Sequence, residues 1–83
     1  MKKITIYSTR ICPYCVRAKN FFNKKNLEYT EIMIDRDPNQ MREMMEKSGR
    51  QSVPQIFIGD YHVGGFDELI EHDMDGKLEG LLG

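Results

Sequence analysis

A β-strand pattern that runs directly into a helix start carrying two cysteines constrains this fold more than any other feature. The segment Ile4-Thr5-Ile6-Tyr7 alternates and is β-branched or aromatic, which predicts a strand. After a short loop, Pro13 suits the first turn of a helix, where its missing N–H costs nothing. We expect that helix to run to about Lys25. Four of its residues lie on one face, which is predicted to be buried: Cys15, Ala18, Phe21 and Phe22.

A second strand and a second helix follow. Residues 28–34 alternate as a strand does. Asp37-Pro38 is typical of a helix start, with an acceptor side chain at the cap and proline in the first turn, and Gly49 is expected to end this helix. Its methionines lie at helical spacing and are predicted to be core residues and not metal ligands: Met41, Met44 and Met45.

The last third of the chain predicts a β-hairpin and a helix. Two strand patterns, Gln55 to Ile58 and Tyr61 to Val63, flank Gly59-Asp60, a two-residue turn with glycine first, as a type II′ turn prefers. Gly64-Gly65 precedes the final helical segment, which Gly76 interrupts. The order βαβαββα predicts an α/β fold with a mixed four-stranded sheet and helices on both faces. We expect residues 1–83 to form a single domain.

Composition excludes several classes of protein. With 40% hydrophobic and 30% charged residues and a net charge of -1, the chain shows neither the basic excess of a nucleic-acid binder nor the composition of a disordered protein. No apolar run is long enough to span a bilayer, and the N-terminus lacks the long apolar stretch of a signal peptide. We therefore expect a cytoplasmic protein that binds neither nucleic acid nor membranes.

The only two cysteines are separated by two residues. A disulfide across so short a loop constrains the unfolded chain little, so it is a poor structural staple, and such a pair in a reducing compartment is more often reactive. Cys12 is expected at the helix N-terminus, where free N–H groups and the helix dipole favour a thiolate, and Arg10 and Arg17 add positive potential. Cys15 is expected on the buried face. This arrangement predicts Cys12 as the attacking thiol and Cys15 as the resolving thiol.

A metal site is the alternative interpretation of the two cysteines. A Cys-x-x-Cys pair supplies only half of a tetrahedral zinc shell. The two histidines, His62 and His72, show no ligand spacing with another candidate, and we expect them in solvent or on the hairpin, without a role. We therefore predict no metal.

Three segments resemble the dithiol glutaredoxins. Cys12-Pro13-Tyr14-Cys15 looks like that family's active-site motif. Two later segments, residues 52–59 (Ser-Val-Pro-Gln-Ile-Phe-Ile-Gly) and 64–69 (Gly-Gly-Phe-Asp-Glu-Leu), are similar to its two other signatures, in the same order and at the same spacing. The size resembles the short bacterial members. Thioredoxin fits less well, because its Trp-Cys-Gly-Pro-Cys motif is absent and the chain has no tryptophan.

The resemblance implies a thioredoxin-like fold and a glutathione site. It implies a cis Val53–Pro54 bond, which would turn the Val53 backbone outward to pair with glutathione as a short added strand; the alternative is a trans proline that merely begins a strand. Gly65 permits close backbone approach, and Phe66 and Asp67 would bind the γ-glutamyl end, with Asp67 taking the ammonium. The alternative role of Asp67 is that of a helix-cap acid. The resemblance completes the set of glutathione-binding residues with Gln51, which would donate to the glycyl carboxylate, and Tyr14, which would line the sulfur groove.

Two positions depart from the family pattern. Many relatives have threonine where this chain has Ser52, a change that keeps the hydroxyl. Many also have a lysine in the stretch that Thr9 and Arg10 occupy here, which leaves open which cation assists glutathione binding.

The sequence favours an enzyme over two other functions. We expect a monomeric glutathione-disulfide oxidoreductase that uses glutathione as co-substrate and reduces glutathionylated and disulfide-containing proteins. One alternative is an iron–sulfur carrier in which Cys12 and a glutathione thiol from each of two subunits hold a cluster. Pro13 and the available Cys15 argue against it, and a visible absorption spectrum distinguishes the two. A Cys-x-x-Cys metallochaperone would have a different element order and no Val-Pro strand start.

Overall fold

Eight elements follow one another along residues 2–83, the part of the chain that the computed structural model describes. They are β1 (Ile4–Ser8), α1 (Pro13–Lys24), β2 (Thr30–Met33), α2 (Pro38–Ser48), β3 (Gln55–Ile58), β4 (Tyr61–Gly64), α3 (Phe66–Met74) and α4 (Lys77–Leu82). The predicted types and order are confirmed, although β2 is shorter than the pattern suggested. The last helical segment is two helices, because Gly76 adopts a left-handed conformation (φ +75°) that ends one helix before the next begins.

The strands form one mixed sheet in the order β2-β1-β3-β4. β1 pairs parallel with β2 through the α1 crossover, and antiparallel with β3. β3 and β4 form the predicted hairpin. Of the two turn residues, only Gly59 has a positive φ (+59°), as a type II′ turn requires.

Alternation along the strands gives the sheet two buried faces. The face covered by α1, α3 and α4 holds the larger cluster: Ile4, Ile6, Ala18, Phe22, Ile56, Ile58, Val63, Leu69 and Leu78. The face covered by α2 holds Tyr7, Ile34, Met44 and Phe57, with Met41 and Met45 packed against them. Helices on both faces of a mixed sheet are thus confirmed, and so is the packing role of the three methionines.

Two helices begin by the same device, an extended capping residue followed by proline. Asp37 caps α2 by accepting a hydrogen bond from the Asn39 N–H (2.9 Å), and Gly49 ends that helix in a left-handed conformation. Cys12 occupies the equivalent position before α1. The first cysteine is therefore the residue at which β1 and its loop meet the helix.

No helix within residues 2–83 combines the length and the apolar character needed to cross a membrane.

Candidate functional site

The two cysteines lie at the start of α1 and form a disulfide, with their Cα atoms 5.2 Å apart. Cys12 is half-buried at the helix cap, whereas Cys15, one turn on, is only 1% exposed. The Cys15 backbone N–H donates to the Cys12 sulfur (3.1 Å), which is the interaction that a helix N-terminus offers to an anion. The structure therefore confirms that Cys12 is the more exposed of the two cysteines and that Cys15 is buried.

A proline loop lies opposite Cys12. The Val53–Pro54 peptide bond is cis, as the resemblance implied. The Val53 carbonyl oxygen is 3.8 Å from the Cys12 sulfur. Within residues 2–83, neither the N–H nor the C=O of Val53 takes part in a backbone hydrogen bond. An extended peptide lying beside Cys12 would therefore meet one free donor and one free acceptor.

A cleft of about 190 Å³ extends from this loop to the start of α3. It is lined by Tyr14, Arg50, Ser52, Val53, Pro54, Gln55, Gly65, Phe66, Asp67 and Glu68. Six of the seven residues predicted to bind glutathione line it. The seventh, Gln51, is exposed and does not line the cleft, so its contact with a glycyl carboxylate stays a prediction.

An ion pair closes one side of the cleft. Both Arg50 guanidinium nitrogens contact the Glu68 carboxylate, at 2.5 and 3.0 Å. The same carboxylate accepts the Gly65 N–H (2.9 Å), which is half of a capping box for α3. These contacts lower the pKa of Glu68 to about 2, with Arg50 as the larger cause. A Cβ at Gly64, where φ is +116°, would collide with this carboxylate, so the position requires glycine.

Asp67 is left available by this arrangement. The acid that caps α3 is Glu68, while Asp67 is exposed and forms no ion pair or side-chain hydrogen bond within residues 2–83. Asp67 lines the cleft, and no lysine or arginine within residues 2–83 forms an ion pair with its carboxylate. The geometry therefore favours a ligand-binding role for Asp67 over a capping one, and that role stays a prediction.

A buried amide anchors the proline loop from beneath. Gln55 is 1% exposed, and its Nε2 donates to the Ser52 carbonyl (3.0 Å) and hydroxyl (3.2 Å). Its Oε1 lies 2.7 Å from His62 Nε2, and His62 stacks on Phe57. Both the nitrogen and the oxygen of the Gln55 amide therefore have hydrogen-bond partners, and these bonds link the proline loop to the hairpin.

His62 lies in the hairpin strand β4, as expected, but neither histidine is fully exposed. His62 is half-buried, and burial together with the nearby Arg50 charge lowers its pKa. His72 is also half-buried, with its ring nitrogens 2.9 Å from the Tyr61 hydroxyl and 2.7 Å from the Glu68 carbonyl. Both rings are taken up by contacts within the protein. No group of three or more histidine, cysteine or acidic residues within residues 2–83 is placed to hold a metal ion.

The two arginines near Cys12 differ in their surroundings. The Arg10 backbone N–H donates to the Asp35 carboxylate (3.1 Å) and is the main cause that lowers the pKa of Asp35, while the Arg10 side chain pairs with the same carboxylate (3.4 Å) and adds a smaller effect. Arg17 lies over the Tyr14 ring, 5.1 Å from its centroid. The Tyr14 ring is in turn 6.1 Å from that of Phe66. Tyr14 thus separates the cleft from the outer surface of α1.

Arg50, Gln55 and Glu68 are the site residues that sequence reasoning missed. Glu68 had a detectable signal, because an acid three residues after a helix cap is typical of a capping box. Arg50 had none, because its partner lies 18 residues away, and the contact of Gln55 with His62, seven residues away, likewise forms only in the folded hairpin.

Comparison with known proteins gives a consistent result. A family model described as glutaredoxin matches residues 4–63. Glutaredoxin of Pseudomonas aeruginosa is 44% identical over 82 residues, covering 99% of this chain and 98% of its own. Glutaredoxin 3 of Escherichia coli (strain K12) is 43% identical over 82 residues, covering 99% of each chain.

Solved structures agree with the sequence relatives. The crystal structure of a buckwheat glutaredoxin–glutathione complex superimposes with a TM-score of 0.87 at 31% identity, covering 98% of this chain and 76% of that one. The solution structure of glutaredoxin from Brucella melitensis gives a TM-score of 0.85 at 46% identity, covering 99% and 89%. The thioredoxin-like fold implied by the three sequence segments is therefore shown.

Proposed function

The chain belongs to the glutaredoxin family of thiol–disulfide oxidoreductases, and we propose that it uses glutathione to reduce glutathione mixed disulfides and protein disulfides. The observation that carries this proposal is the position of the Cys12 sulfur, half-exposed at a helix start and 3.8 Å from the free Val53 carbonyl. A sulfur and a backbone carbonyl without a backbone partner lie next to each other there.

With a mixed disulfide, the reaction proceeds through Cys12 alone. The Cys12 thiolate attacks the glutathione sulfur, so a Cys12–glutathione disulfide forms while the substrate sulfur leaves as a thiolate and takes up a proton. A second glutathione thiolate then attacks the bound glutathione sulfur. Glutathione disulfide leaves and Cys12 is again a thiolate. The Cys15 N–H that contacts the sulfur supports both the attacking and the leaving anion.

With a protein disulfide, Cys15 takes part. Cys12 attacks one substrate sulfur and forms a mixed disulfide, releasing the other as a thiol. Cys15, buried one turn along α1, attacks the Cys12 sulfur and releases the second substrate thiol. The product is the Cys12–Cys15 disulfide, the state that the structure contains, and two glutathione molecules return it to the dithiol.

Glutathione recognition is assigned to the cleft. The cysteinyl backbone of glutathione would pair with Val53 as a short added strand, and the γ-glutamyl end would reach the start of α3. There Asp67 offers a negative charge for the ammonium group. The buckwheat relative with the same fold was solved as a glutathione complex, which supports this assignment.

We place this activity in the cytoplasm, in a monomer. A dithiol that cycles with glutathione needs a compartment in which thiols are kept reduced. Its partners are glutathione and glutathionylated or disulfide-containing proteins.

A glutathione-coupled assay with two substrates tests the proposal. On a small glutathione mixed disulfide, Cys15→Ser should keep activity, because only one thiol is needed. On a protein with an intramolecular disulfide, Cys15→Ser should lose most activity, because no thiol remains to release the substrate. Cys12→Ser should lose both activities, at least a hundredfold on the scale of lost nucleophiles.

The two serine variants control for each other, since each removes one sulfur from the same helix turn. Full turnover of the mixed disulfide by Cys12→Ser would contradict the assignment of the attacking thiol. Failure of the unmutated protein to use glutathione, with normal turnover by another thiol reductant, would contradict glutathione dependence while leaving the dithiol chemistry in place.

A further inference from the structure

The net charge is only -1, but positive and negative side chains are distributed unevenly along the chain. Of the twelve lysines and arginines, seven fall within the first 27 residues, which contain no acid: Lys2, Lys3, Arg10, Arg17, Lys19, Lys24 and Lys25. All thirteen acids and the other five cations lie in residues 28–83. Since α1 belongs to the first segment, the helix that begins at the reactive sulfur carries no negative side chain.

Ion pairs neutralise some of these cations but not all. Three of them pair with acids from residues 28–83: Arg10 with Asp35, Lys19 with Glu31, and Lys25 with Asp73. Within residues 2–83, Arg17 and Lys24 form no ion pair. Both are exposed, and seven residues separate them, which places them two turns apart on the same side of a helix.

Apolar side chains surround the sulfur end of this surface. Ile11, immediately before Cys12, is 89% exposed, and Val16 is 48% exposed. Together with Arg17, Asn20 and Lys24, Val16 forms what we call the outer face of α1, all exposed and all at helical spacing. Exposed apolar groups that continue into free cations around a reactive atom are suited to contact with a macromolecule.

We propose that the outer face of α1 docks the acidic segment of a protein substrate, with an apolar residue of that substrate resting on Ile11 and Val16 beside its cysteine. This inference rests on the proposed function and names its partner. Charge complementarity selects the occupant, because Arg17 and Lys24 attract carboxylates and no acid on the helix repels them. Nucleic acid fits less well, since two free cations on one face are few for a phosphate backbone.

Tyr14 lies between the outer face of α1 and the proposed glutathione cleft, so the two surfaces are adjacent and do not overlap. Its ring contacts Phe66 on the cleft side and lies under Arg17 on the helix side. Lys24 lies twelve residues from Cys12, about 18 Å along the helix. An extended segment of about six residues spans that distance, so an acidic run within six residues of the substrate cysteine reaches both cations.

Paired peptides test the proposal. Each contains one intramolecular disulfide, the same apolar residue beside the attacked cysteine, and an eight-residue flank of either glutamate-rich or lysine-rich sequence. The unmutated protein should reduce the acidic peptide with kcat/KM about tenfold higher at low salt, within the usual range for electrostatic steering. The preference should fall to less than about twofold in 0.5 M salt, because salt screens exposed charges.

Charge-reversal variants assign the preference to the face. In Arg17→Glu/Lys24→Glu, the ratio of kcat/KM for the acidic peptide to kcat/KM for the lysine-rich peptide should fall to one or below. The ratio is the readout because any change at Cys12 itself affects both peptides equally. The matched control is Lys3→Glu/Lys77→Glu, which changes the net charge by the same amount at exposed positions outside α1, one just before β1 and one at the start of α4. This control should keep the preference. Thermal unfolding checks that both variants fold.

Three results would overturn the proposal: equal reduction of the two peptides by the unmutated protein, a preference that salt leaves unchanged, or the same ratio in Arg17→Glu/Lys24→Glu. Binding of a polynucleotide or of phosphatidylserine vesicles through these two cations, without a peptide preference, would assign the face to another partner and also overturn it. Turnover of a small glutathione mixed disulfide, measured alongside, shows whether the proposed function stands when this inference fails.

Discussion

At the scale of single residues, identical side chains acquire different properties from their positions on α1. Cys12 and Cys15 are three residues apart, yet one is half-exposed at the cap and the other is buried in the next turn. The first accepts a hydrogen bond from the Cys15 N–H, whereas the second is shielded from large substrates by its burial. The proposed division into attacking and resolving thiol rests on this difference in position.

Asp67 gives the most direct test of the proposed glutathione recognition. If it pairs with the γ-glutamyl ammonium, Asp67→Asn removes the charge but keeps the shape and some hydrogen bonding. We expect kcat/KM for glutathione to fall a few-fold to roughly thirtyfold, between the loss of an exposed ion pair and that of a charged hydrogen bond. Steady-state kinetics with varied glutathione measure this.

The matched control for Asp67→Asn is Glu71→Gln, an exposed acid on the same helix that forms no ion pair within residues 2–83. Its kinetics should stay unchanged. A small disulfide without a γ-glutamyl group should react equally with both variants. Lower thermal stability of Asp67→Asn with unchanged glutathione kinetics would make the residue a cap and contradict its role in binding.

At the scale of elements, the two important helix starts each hold an anion in a different way. At α1 it is the Cys12 sulfur, which becomes an anion only when the disulfide is reduced and which receives one N–H contact at 3.1 Å. At α3 it is the Glu68 carboxylate, which is fixed by Gly65 and Arg50 and does not need to react. The first arrangement suits the nucleophile that we propose, and the second fixes the wall of the cleft.

The start of α1 predicts the titration of the reduced protein. The helix N-terminus should hold the pKa of Cys12 below that of a free thiol, about 8.5, while burial should keep Cys15 protonated. Alkylation of the reduced protein at varied pH, followed by mass spectrometry of peptides, should show Cys12 reacting first and still rapidly at neutral pH. Equal labelling of both cysteines, with an inflection at the free-thiol value, would refute this placement.

The start of α3 predicts a dependence of stability on pH. Because the pKa of Glu68 is lowered from 4.5 to about 2 in the folded protein, its contribution is complete above pH 4.5 and is lost as the pH falls toward 2. Solvent screening makes the contribution smaller than the shift alone implies, since the side chain is about one-third exposed.

The measurement is Tm between pH 6 and pH 2 for the unmutated protein and Glu68→Gln. The unmutated protein should be the more stable above pH 4.5, and the difference should shrink as the pH approaches 2. Glu71→Gln serves again as the control and should show no such convergence. A difference that is constant across the range would mean that the Arg50 pair does not stabilise the fold.

Elements and the reactive pair could be predicted from the sequence because their signals are local. Period-two and helical patterns, Pro13 and Pro38 in first turns and Gly59 in the hairpin each depend on neighbours within a few residues. The Arg50–Glu68 pair and the Gln55–His62 contact join distant segments, so no local pattern contained them. Gln51 illustrates the same limit, because its place relative to the cleft depends on how the loop turns.

At the scale of the whole molecule, one sheet carries two cores, and the site is built where the elements of both faces meet. The loop that holds Pro54 joins α2 on one face to β3, while Cys12 joins β1 to α1 on the other. Since β1 and β3 are the two central strands, each contributes side chains to both clusters. The geometry of Cys12 and Val53 therefore depends on both cores being intact, and we expect residues 1–83 to unfold as one unit.

Two adjacent phenylalanines test this view. Phe22 is 0% exposed in the larger cluster, whereas Phe21 is half-buried at its edge. Phe22→Ala should cost about 3–5 kcal/mol, the usual loss for a buried ring, out of the roughly 5–15 kcal/mol that stabilises a small domain. Phe21→Ala, the matched control on the same helix, should lower the free energy of unfolding clearly less.

Denaturant unfolding should give coincident transitions by far-UV circular dichroism and by tyrosine fluorescence. Tyrosine fluorescence is usable because the chain has four tyrosines and no tryptophan. Equal losses for the two variants would contradict the assigned core, and separate transitions would contradict a single folding unit, because the shared sheet should not allow one face to unfold alone.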